Sequence, residues 1–567
     1  MDLARRKFLS KAATYSASLL ATGLMVNTVS ASASATNDIR LFIRDHGNFS
    51  ISGIRLRNRE ALERLYADRA YQPLWTAEHF PTHTSVVISQ RLADAQLQGL
   101  EPSKYYGKLL NQLAVNSRQD NSLQFEVLMS DSIISFFDDI AHGTTEPPSS
   151  ATGWRLKREQ INVADITNDF FRGVKSLNET VNELQPQHHR YTRLLEAYQH
   201  HQAIADNGGW QQIGSGPSLG LGDKNVGVEV LRRRLLTSGD LRYTMPADPN
   251  HFDTELAEAL IRFQNRHGLE PDGVMGPKTR NTLNVPVETR LAQLQLNLDR
   301  WRWLQRDFGY SNITVNTAGF EMEVTLSGTI AMNMNVIVGQ PKYATPLFSD
   351  SMEHMVFKPS WYVPSSIAKK LLKEEANRPG LLQSDNFEVI EKSTNSSVSF
   401  SQLTRFERDP EFFSTKYRLR QLPGKNNALG NLKFMFPNKY AIYLHDTPSK
   451  KLFAKSERAF SHGCIRLEKP TELAQMLLAA DGHSSAEIDV YQMAASTKKV
   501  NFRTPLPVHL TYQTVWVDDF GVTHFREDIY NHDKHGIAQL ENNRATYVNA
   551  ESSAIALTNI TLASNLY

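Results

Sequence analysis

One heptapeptide in this chain reads Ser461-His462-Gly463-Cys464-Ile465-Arg466-Leu467, and it holds the only cysteine among 567 residues. A thiol becomes a good nucleophile when it loses its proton, and a nearby imidazole or cation lowers its pKa from about 8.5. His462 and Arg466 flank Cys464, and His445 lies 19 residues before it. Gly463 permits a sharp turn that could aim successive amides at one point and form an oxyanion hole. These residues favour acyl transfer on Cys464 over the alternative that a lone cysteine is a small buried hydrophobe.

The sequence around this heptapeptide alternates apolar and polar residues with a period of two, which is typical of β-strands. Such patterns lie at residues 320–324, 332–338, 355–357, 434–436 and 440–445. We therefore predict a mainly β domain over residues 310–500.

Residues 365–430 interrupt this domain with a polar, charged segment that contains mixed helical patterns. The segment is longer than an ordinary connection between two strands. We interpret it as an insertion that forms a mobile lid over a site. The alternative is a rigid platform packed on the sheet.

Helical periodicity dominates the first half of the chain, where one face of a helix carries the apolar residues Phe125, Leu128, Met129, Ile133, Phe136 and Ile140. Glycine-rich stretches mark a linker, and a compact unit with three helical patterns follows it. The fold class is therefore multidomain α+β. Outside the β domain we predict an export signal (1–35), a helical scaffold (36–205), a linker (206–220), the three-helix unit (221–284), a connecting helix (285–309) and a C-terminal hairpin and tail (501–567).

Two histidine pairs in the helical region, His188-His189 and His200-His201, resemble metal ligands only superficially. Their spacing is not that of a zinc motif, and no acidic pattern accompanies them. We predict a solvated helix face for both pairs.

The composition excludes several classes of protein. Lys plus Arg (62) nearly balances Asp plus Glu (60), so the charge does not indicate nucleic acid as a partner. A single cysteine can form neither an intramolecular disulfide nor a zinc site built on several thiolates. We predict no metal and no cofactor.

The N-terminus resembles an export signal. The twin-arginine pattern Arg5-Arg6-Lys7-Phe8-Leu9 precedes a mildly apolar run and the small residues 30–35, and we predict cleavage after Ala33 or Ala35. The apolar run is too short and too polar for a stable membrane span. We therefore predict a periplasmic protein, exported by the twin-arginine route.

Two motifs together resemble the signature of the L,D-transpeptidase catalytic domain: Tyr443-Leu444-His445-Asp446-Thr447-Pro448 and the cysteine heptapeptide. Supporting segments are residues 338–340, 345–346, 359–364 and 427–430. Residues 263–279 resemble the three-helix peptidoglycan-binding domain of cell-wall hydrolases. The whole pattern is similar to the large periplasmic L,D-transpeptidases, which combine a scaffold, a peptidoglycan-binding domain and a lidded catalytic domain.

The resemblance implies that Cys464 is the nucleophile and that His445 is the general base. It implies that the amides of Gly463 and Cys464 hold the oxyanion, while His462 and Ser461 shape the loop. It assigns no orienting role to Asp446, and a backbone carbonyl could orient His445 instead.

Substrate contact is implied for Trp361, Tyr443 and Arg466, although Arg466 could equally brace the loop. The implied reaction is attack by Cys464 on the carbonyl before the terminal D-alanine of a tetrapeptide stem, and an acceptor amine then resolves the thioester. The product is a cross-link between two diaminopimelate residues. The expected partners are donor and acceptor peptidoglycan stems and carbapenem inhibitors, with other wall-synthesis enzymes as candidates.

Other functions remain open at this point. Water or a lipoprotein lysine could accept the acyl group, which would give an L,D-carboxypeptidase or a lipoprotein transferase. A wall-binding scaffold would need no nucleophile, yet both His445 and Cys464 are present. A papain-like protease needs a different cysteine setting and a downstream Asn partner, and neither is found.

Overall fold

The computed structural model describes residues 33–45, 49–51, 53–115, 121–148, 153–156, 161–242 and 245–564. The predicted twin-arginine motif and residues 1–32 of the predicted export signal lie outside these residues. Within the described part of the chain, no helix has both the length and the apolar character needed to cross a membrane.

The N-terminal region is a helical scaffold, as predicted, and its central helix is buried on nearly every side. That helix, α5, carries Glu126 into the core, where backbone amides of residues 74–76 satisfy the carboxylate. Two two-stranded hairpins join the helices. The elements are α1 (Ala33–Arg44), β1 (Ser50–Ile51), β2 (Ile54–Arg55), α2 (Arg59–Asp68), β3 (Thr76–Ala77), β4 (Phe80–Pro81), α3 (His83–Ala93), α4 (Gly107–Val115), α5 (Ser122–His142), α6 (Val163–Phe171), α7 (Leu177–Leu184) and α8 (His189–Asp206).

The predicted three-helix unit follows, with its own core around Leu231, Leu260 and Phe263. Its helices are α9 (Val226–Thr237), α10 (Thr254–Arg266) and α11 (Pro277–Leu283), and the connecting helix is α12 (Val287–Trp303). The Asp299 carboxylate of α12 is fully buried, where it accepts hydrogen bonds from the backbone amides of Thr144 and Thr145. Helix α12 therefore ties the scaffold to the rest of the molecule.

Residues 312–525 form a β-barrel, a small second sheet and a hairpin. The elements are β5 (Asn312–Asn316), β6 (Glu321–Leu326), β7 (Thr329–Gly339), β8 (Ser349–Phe357), β9 (Trp361–Tyr362), α13 (Ser365–Asn377), α14 (Leu381–Ser384), β10 (Phe387–Glu391), β11 (Ser397–Val398), α15 (Pro410–Lys416), β12 (Tyr417–Gln421), β13 (Leu432–Met435), β14 (Leu444–His445), β15 (Ala459–Ser461), β16 (Ile465–Leu467), α16 (Pro470–Ala480), α17 (Ser485–Met493), β17 (Lys498–Thr511), β18 (Val515–Val517) and β19 (Thr523–Phe525). The barrel strands pair in the order β16-β14-β13-β8-β17-β5-β6-β7. The circuit closes because β7 pairs with β6 along its first part and with β16 near its end.

The predicted insertion is a folded subdomain with its own sheet and core. Strands pair in the order β11-β10-β12-β9, and Leu372, Val389, Phe413 and Leu419 are buried together against them. Its polar sequence reflects an exposed outer surface around this small apolar centre.

The C-terminal region differs from a hairpin and tail. The predicted boundary at residue 500 falls inside β17, so the barrel continues to Thr511. Strands β18 and β19 form the hairpin, and a 33-residue helix, α18 (His532–Ser564), follows it. This helix packs on the scaffold, where the Glu551 carboxylate accepts hydrogen bonds from the Lys108 and Leu109 amides.

The prediction for the histidine pairs is half wrong. His189 and His200 are exposed, as predicted. His188 stacks on Trp301 at 4.7 Å, and His201 is buried against Phe525. The reason is that α8 packs between α12 and the hairpin, so one histidine of each pair must face inward.

Candidate active site

The sheet register brings three candidate side chains into one row. The parallel pair β14–β16 places His445 beside Arg466. The antiparallel pair β13–β14 places Lys433 on the other side of His445. Cys464 directly precedes β16, in a turn where Gly463 has a φ of +115°, a conformation that favours glycine.

The cysteine loop is held by hydrogen bonds within itself and to Thr345. The Ser461 hydroxyl donates to the Cys464 carbonyl (2.5 Å) and accepts from the Gly463 amide (3.0 Å). The Thr345 hydroxyl donates to the Gly463 carbonyl (2.8 Å) and accepts from the Gly339 amide (2.9 Å). These bonds fit the loop-shaping role that the resemblance implies for Ser461.

The same bonds bear on the predicted oxyanion hole. Because the Gly463 amide already donates to Ser461, it does not fit the role of an oxyanion donor in this arrangement. The Cys464 amide makes no hydrogen bond among the described residues. It is therefore the better candidate for that donor.

The Cys464 thiol is partly exposed and protonated at rest. Burial raises its pKa above the ordinary value, although the neighbouring amide and hydroxyl of Tyr443 and the positive charges of Lys433 and Arg466 act in the opposite direction. The sulfur donates weakly to the Ala441 carbonyl, at 3.6 Å. No hydrogen bond joins it to His445 in the described structure, and such bonds often tighten only when substrate binds.

His445 is buried and neutral. Its Nδ1 lies 2.5 Å from the Asp446 carbonyl oxygen. A carbonyl can only accept, so Nδ1 carries the proton and Nε2 is left as the basic atom. Burial, together with the positive charge of Arg466, lowers the pKa of His445 to about 3.

Asp446 orients His445 through its backbone, not through its side chain. Its carboxylate accepts from the Asn431 amide (2.9 Å) and the Thr447 amide (2.7 Å), and it pairs with Lys450 (2.8 Å). The backbone carbonyl that the sequence analysis considered is therefore the group that contacts the imidazole.

Two cations lie near the thiol without a carboxylate partner. Burial lowers the pKa of Lys433 and of Arg466, while the charge of a Cys464 thiolate would raise both. The Lys433 ammonium lies 3.8 Å from the centre of the Tyr443 ring. Neither cation forms an ion pair within the described residues, so both are free to stabilise a thiolate or a substrate carboxylate. Sequence reasoning missed Lys433, because only the strand register brings it to the site.

The remaining predicted residues lie around the thiol. The Trp361 side chain and the Cys464 sulfur both lie close enough to the Tyr443 hydroxyl to shift its pKa, which burial raises above the ordinary value. His462 is exposed and stacks on Tyr343, with ring centres 4.5 Å apart. The structure thus groups Trp361, Tyr443 and Arg466 with the nucleophile candidate, while His462 lies on the outer side of the loop.

A raised thiol pKa predicts a steep pH dependence of alkylation. We expect the rate of Cys464 alkylation by iodoacetamide to rise about tenfold per pH unit from pH 7 to pH 9, because only the thiolate reacts. Lys433→Met should slow the reaction at each pH by removing a nearby positive charge. The exposed Lys451→Met is the matched control and should react like the wild type. A rate that levels off below pH 8 would contradict the protonated resting state.

Protein-family models match three regions of this chain. The model of the L,D-transpeptidase catalytic domain matches residues 311–501. Residues 311–501 are an L,D-transpeptidase catalytic domain. The model described as "Putative peptidoglycan binding domain" matches residues 224–283, and the model described as "Scaffold domain" matches residues 60–197.

Individual relatives carry the same description. A curated Haemophilus influenzae protein named "Putative L,D-transpeptidase" is 25% identical over 487 residues, which cover 85% of this chain and 79% of that protein. The solved L,D-transpeptidase from Mycobacterium smegmatis is 15% identical, covers 36% of this chain and 58% of its own, and has a TM-score of 0.16. That from Stackebrandtia nassauensis is 14% identical, covers 53% and 95%, and has a TM-score of 0.20.

The insertion of the L,D-transpeptidase domain lies near the cysteine loop, which makes the lid hypothesis testable. Trp361 belongs to its sheet, and the positive charge of Lys370 on α13 contributes to lowering the pKa of His462. We expect amide hydrogen exchange in residues 365–430 to be fast in the free protein and to slow when a β-lactam acylates Cys464. Exchange in the scaffold should stay constant as the internal control. Strong protection of residues 365–430 that does not change on acylation would favour the rigid platform.

Proposed function

We propose that this chain cross-links two diaminopimelate residues of peptidoglycan through a thioester on Cys464. The observation that carries the proposal is the row of His445, Arg466 and Lys433 beside the cysteine loop of an L,D-transpeptidase domain. The peptidoglycan-binding match supports the choice of substrate. Peptidoglycan lies outside the cytoplasm, which agrees with the predicted export.

In the first half-reaction, His445 Nε2 takes the thiol proton while the sulfur attacks the carbonyl carbon before the terminal D-alanine. The Cys464 amide and the Tyr443 hydroxyl are the donors available to the developing oxyanion. When the intermediate collapses, the C–N bond breaks and D-alanine leaves with the proton held by His445. The acyl group remains on sulfur.

In the second half-reaction, an acceptor amine attacks the thioester and gives a proton to His445. The C–S bond breaks, and the proton returns to the sulfur as the amide forms. Arg466 and Lys433 stabilise the thiolate that departs, and either can hold a stem carboxylate. A neutral thiol and a neutral imidazole are the starting pair, so the proton moves only when the substrate is in place.

The decisive test uses purified protein and disaccharide-tetrapeptide monomers, with products separated by mass. We expect dimers that have lost one D-alanine for each cross-link formed. Tripeptide monomers without dimers would instead assign water as the acceptor and make the protein an L,D-carboxypeptidase. Unchanged monomers would contradict the proposed reaction.

A further inference from the structure

A cavity lies away from the cysteine loop, where the outer face of the barrel meets the C-terminal hairpin and helix α8. Its volume is about 390 Å³, within the range of small-molecule sites. Strands β5 to β7 form its floor and the hairpin forms one wall. Glu468 and Lys469 line it just beyond β16, so at about 3.3 Å per residue the cavity begins roughly 13 Å from Cys464.

Most charges in this cavity are already paired. Glu323 pairs with Arg190, Asp518 with His524 at 2.8 Å, and Asp519 with Arg193 at 2.7 Å. The Glu468 carboxylate accepts hydrogen bonds from the amide and side chain of Asn335. A strongly charged ligand would have to displace these partners.

Some polar atoms on buried side chains, in contrast, have no partner among the described residues. Trp516 is 4% exposed, and its indole Nε1 makes no hydrogen bond among the described residues although it lines the cavity. A small inner pocket of about 20 Å³ shares Arg190, Glu323 and Trp516 with the cavity. Gln513 Oε1 and Trp301 Nε1 line this inner pocket and are buried without a partner. Buried polar groups in proteins are normally hydrogen-bonded. The inner pocket has room for about one water molecule, which can bridge its two atoms to the cavity, and the Trp516 indole is the donor that a ligand of the cavity itself can reach.

We infer that this cavity binds a sugar unit of a glycan strand. Sugar hydroxyls both donate and accept, which matches the Trp516 indole as a donor and the Glu321 carboxylate as an acceptor, both of which line the cavity. Phe520, 92% exposed at the rim, offers an apolar surface to the ring of a sugar. Because most of the charges that line the cavity are already paired, the cavity favours an uncharged ligand.

The cavity lies between the three-helix unit and the cysteine loop. The inference that its sugar comes from a peptidoglycan strand rests on the proposed function. The hairpin wall is fixed to the three-helix unit, because Arg526 donates to the Arg266 carbonyl (3.0 Å) and Arg266 donates to the Thr523 carbonyl (3.4 Å). Strand β16 pairs with β7 of the floor and runs from the edge of the cavity back to Cys464. A glycan strand held at both the three-helix unit and the cavity would present its stem peptide toward the thiol.

The test measures binding of N-acetylglucosamine tetramer to full-length Cys464→Ser protein by amide hydrogen exchange. Protection of residues 514–526, followed against sugar concentration, gives the affinity of the cavity separately from any binding to residues 221–284. We expect saturable protection of the hairpin, weakened at least tenfold by Glu321→Gln and by Asn333→Ala. Asn333 is exposed in the cavity wall, so its substitution tests the site without disturbing the core.

Thr329→Ala, on the same strand β7 but outside the cavity, is the matched control and should bind like the parent. The inference is overturned if the hairpin shows no protection at any sugar concentration, or if both cavity variants bind as tightly as the control. The probe carries no peptide and the protein no thiol. A failure of the proposed cross-linking reaction would therefore leave this result unaffected.

Discussion

Cys464→Ala is expected to abolish cross-linking while leaving the protein folded. Cys464 is the only thiol in the chain, and the mechanism has no second nucleophile. Its side chain is partly exposed at the edge of the barrel core, so truncation removes little packing. The loss of activity should reach roughly 10⁴-fold or more, as for other enzymes that lose a covalent nucleophile.

Mass spectrometry with a carbapenem provides the direct readout. The wild type should gain the mass of one carbapenem, and the alanine variant none. Thermal unfolding of the two proteins should occur within a few degrees, which shows that the fold is intact. An adduct of equal yield on the alanine variant would show that another group is acylated.

His445→Ala should lower the rate far more than His462→Ala. His445 is buried with a free Nε2, whereas His462 is exposed and stacked on Tyr343. Loss of a general base typically costs 10²- to 10⁴-fold, and loss of an exposed loop side chain costs much less. The measurement is the rate of dimer formation under saturating monomer. Equal losses, or a reversed order, would mean that the imidazoles are assigned wrongly.

The stability of the folded protein in acid provides a second measurement on His445→Ala. The pKa of His445 is about 3 in the folded protein and about 6.5 when unfolded, so between these values the unfolded chain binds more protons. Its contribution to the free energy of unfolding is therefore complete above pH 6.5 and lost as the pH falls toward 3. His445→Ala should flatten this part of the stability profile relative to His462→Ala.

Much of the fold and of the candidate site could be predicted, because short sequence patterns indicate the strands and the cysteine loop. Period-two alternation located most strands of the barrel, and the two short motifs that hold His445 and Cys464 were recognised by their resemblance to a known signature. Glycine and the small polar residues around Cys464 predicted a tight loop, and Ser461 and Gly463 form one. At these positions the local sequence was sufficient to predict the structure.

The rest depends on contacts between distant residues. Lys433 reaches the site only because β13 pairs with β14 in one particular register, which the sequence does not reveal. The hydrogen bond from the Gly463 amide to the Ser461 hydroxyl leaves the Cys464 amide available as the oxyanion donor. The sequence of the heptapeptide alone is compatible with either amide in that role. Helix α18 was missed because its buried face includes the polar Glu551 and Thr558 beside Ala554, so it lacks an apolar stripe.

The packing of α18 on the scaffold sets a limit on when the scaffold can be completed during synthesis. Glu551 binds the Lys108 amide across 443 residues of sequence, and Ala554 belongs to the scaffold core. A ribosome that adds 5–20 residues per second needs roughly 20 to 90 s to cover that distance. Throughout this time the first domain to emerge stays open along one side, and a nascent chain halted before residue 532 would leave the ribosome with that side uncovered.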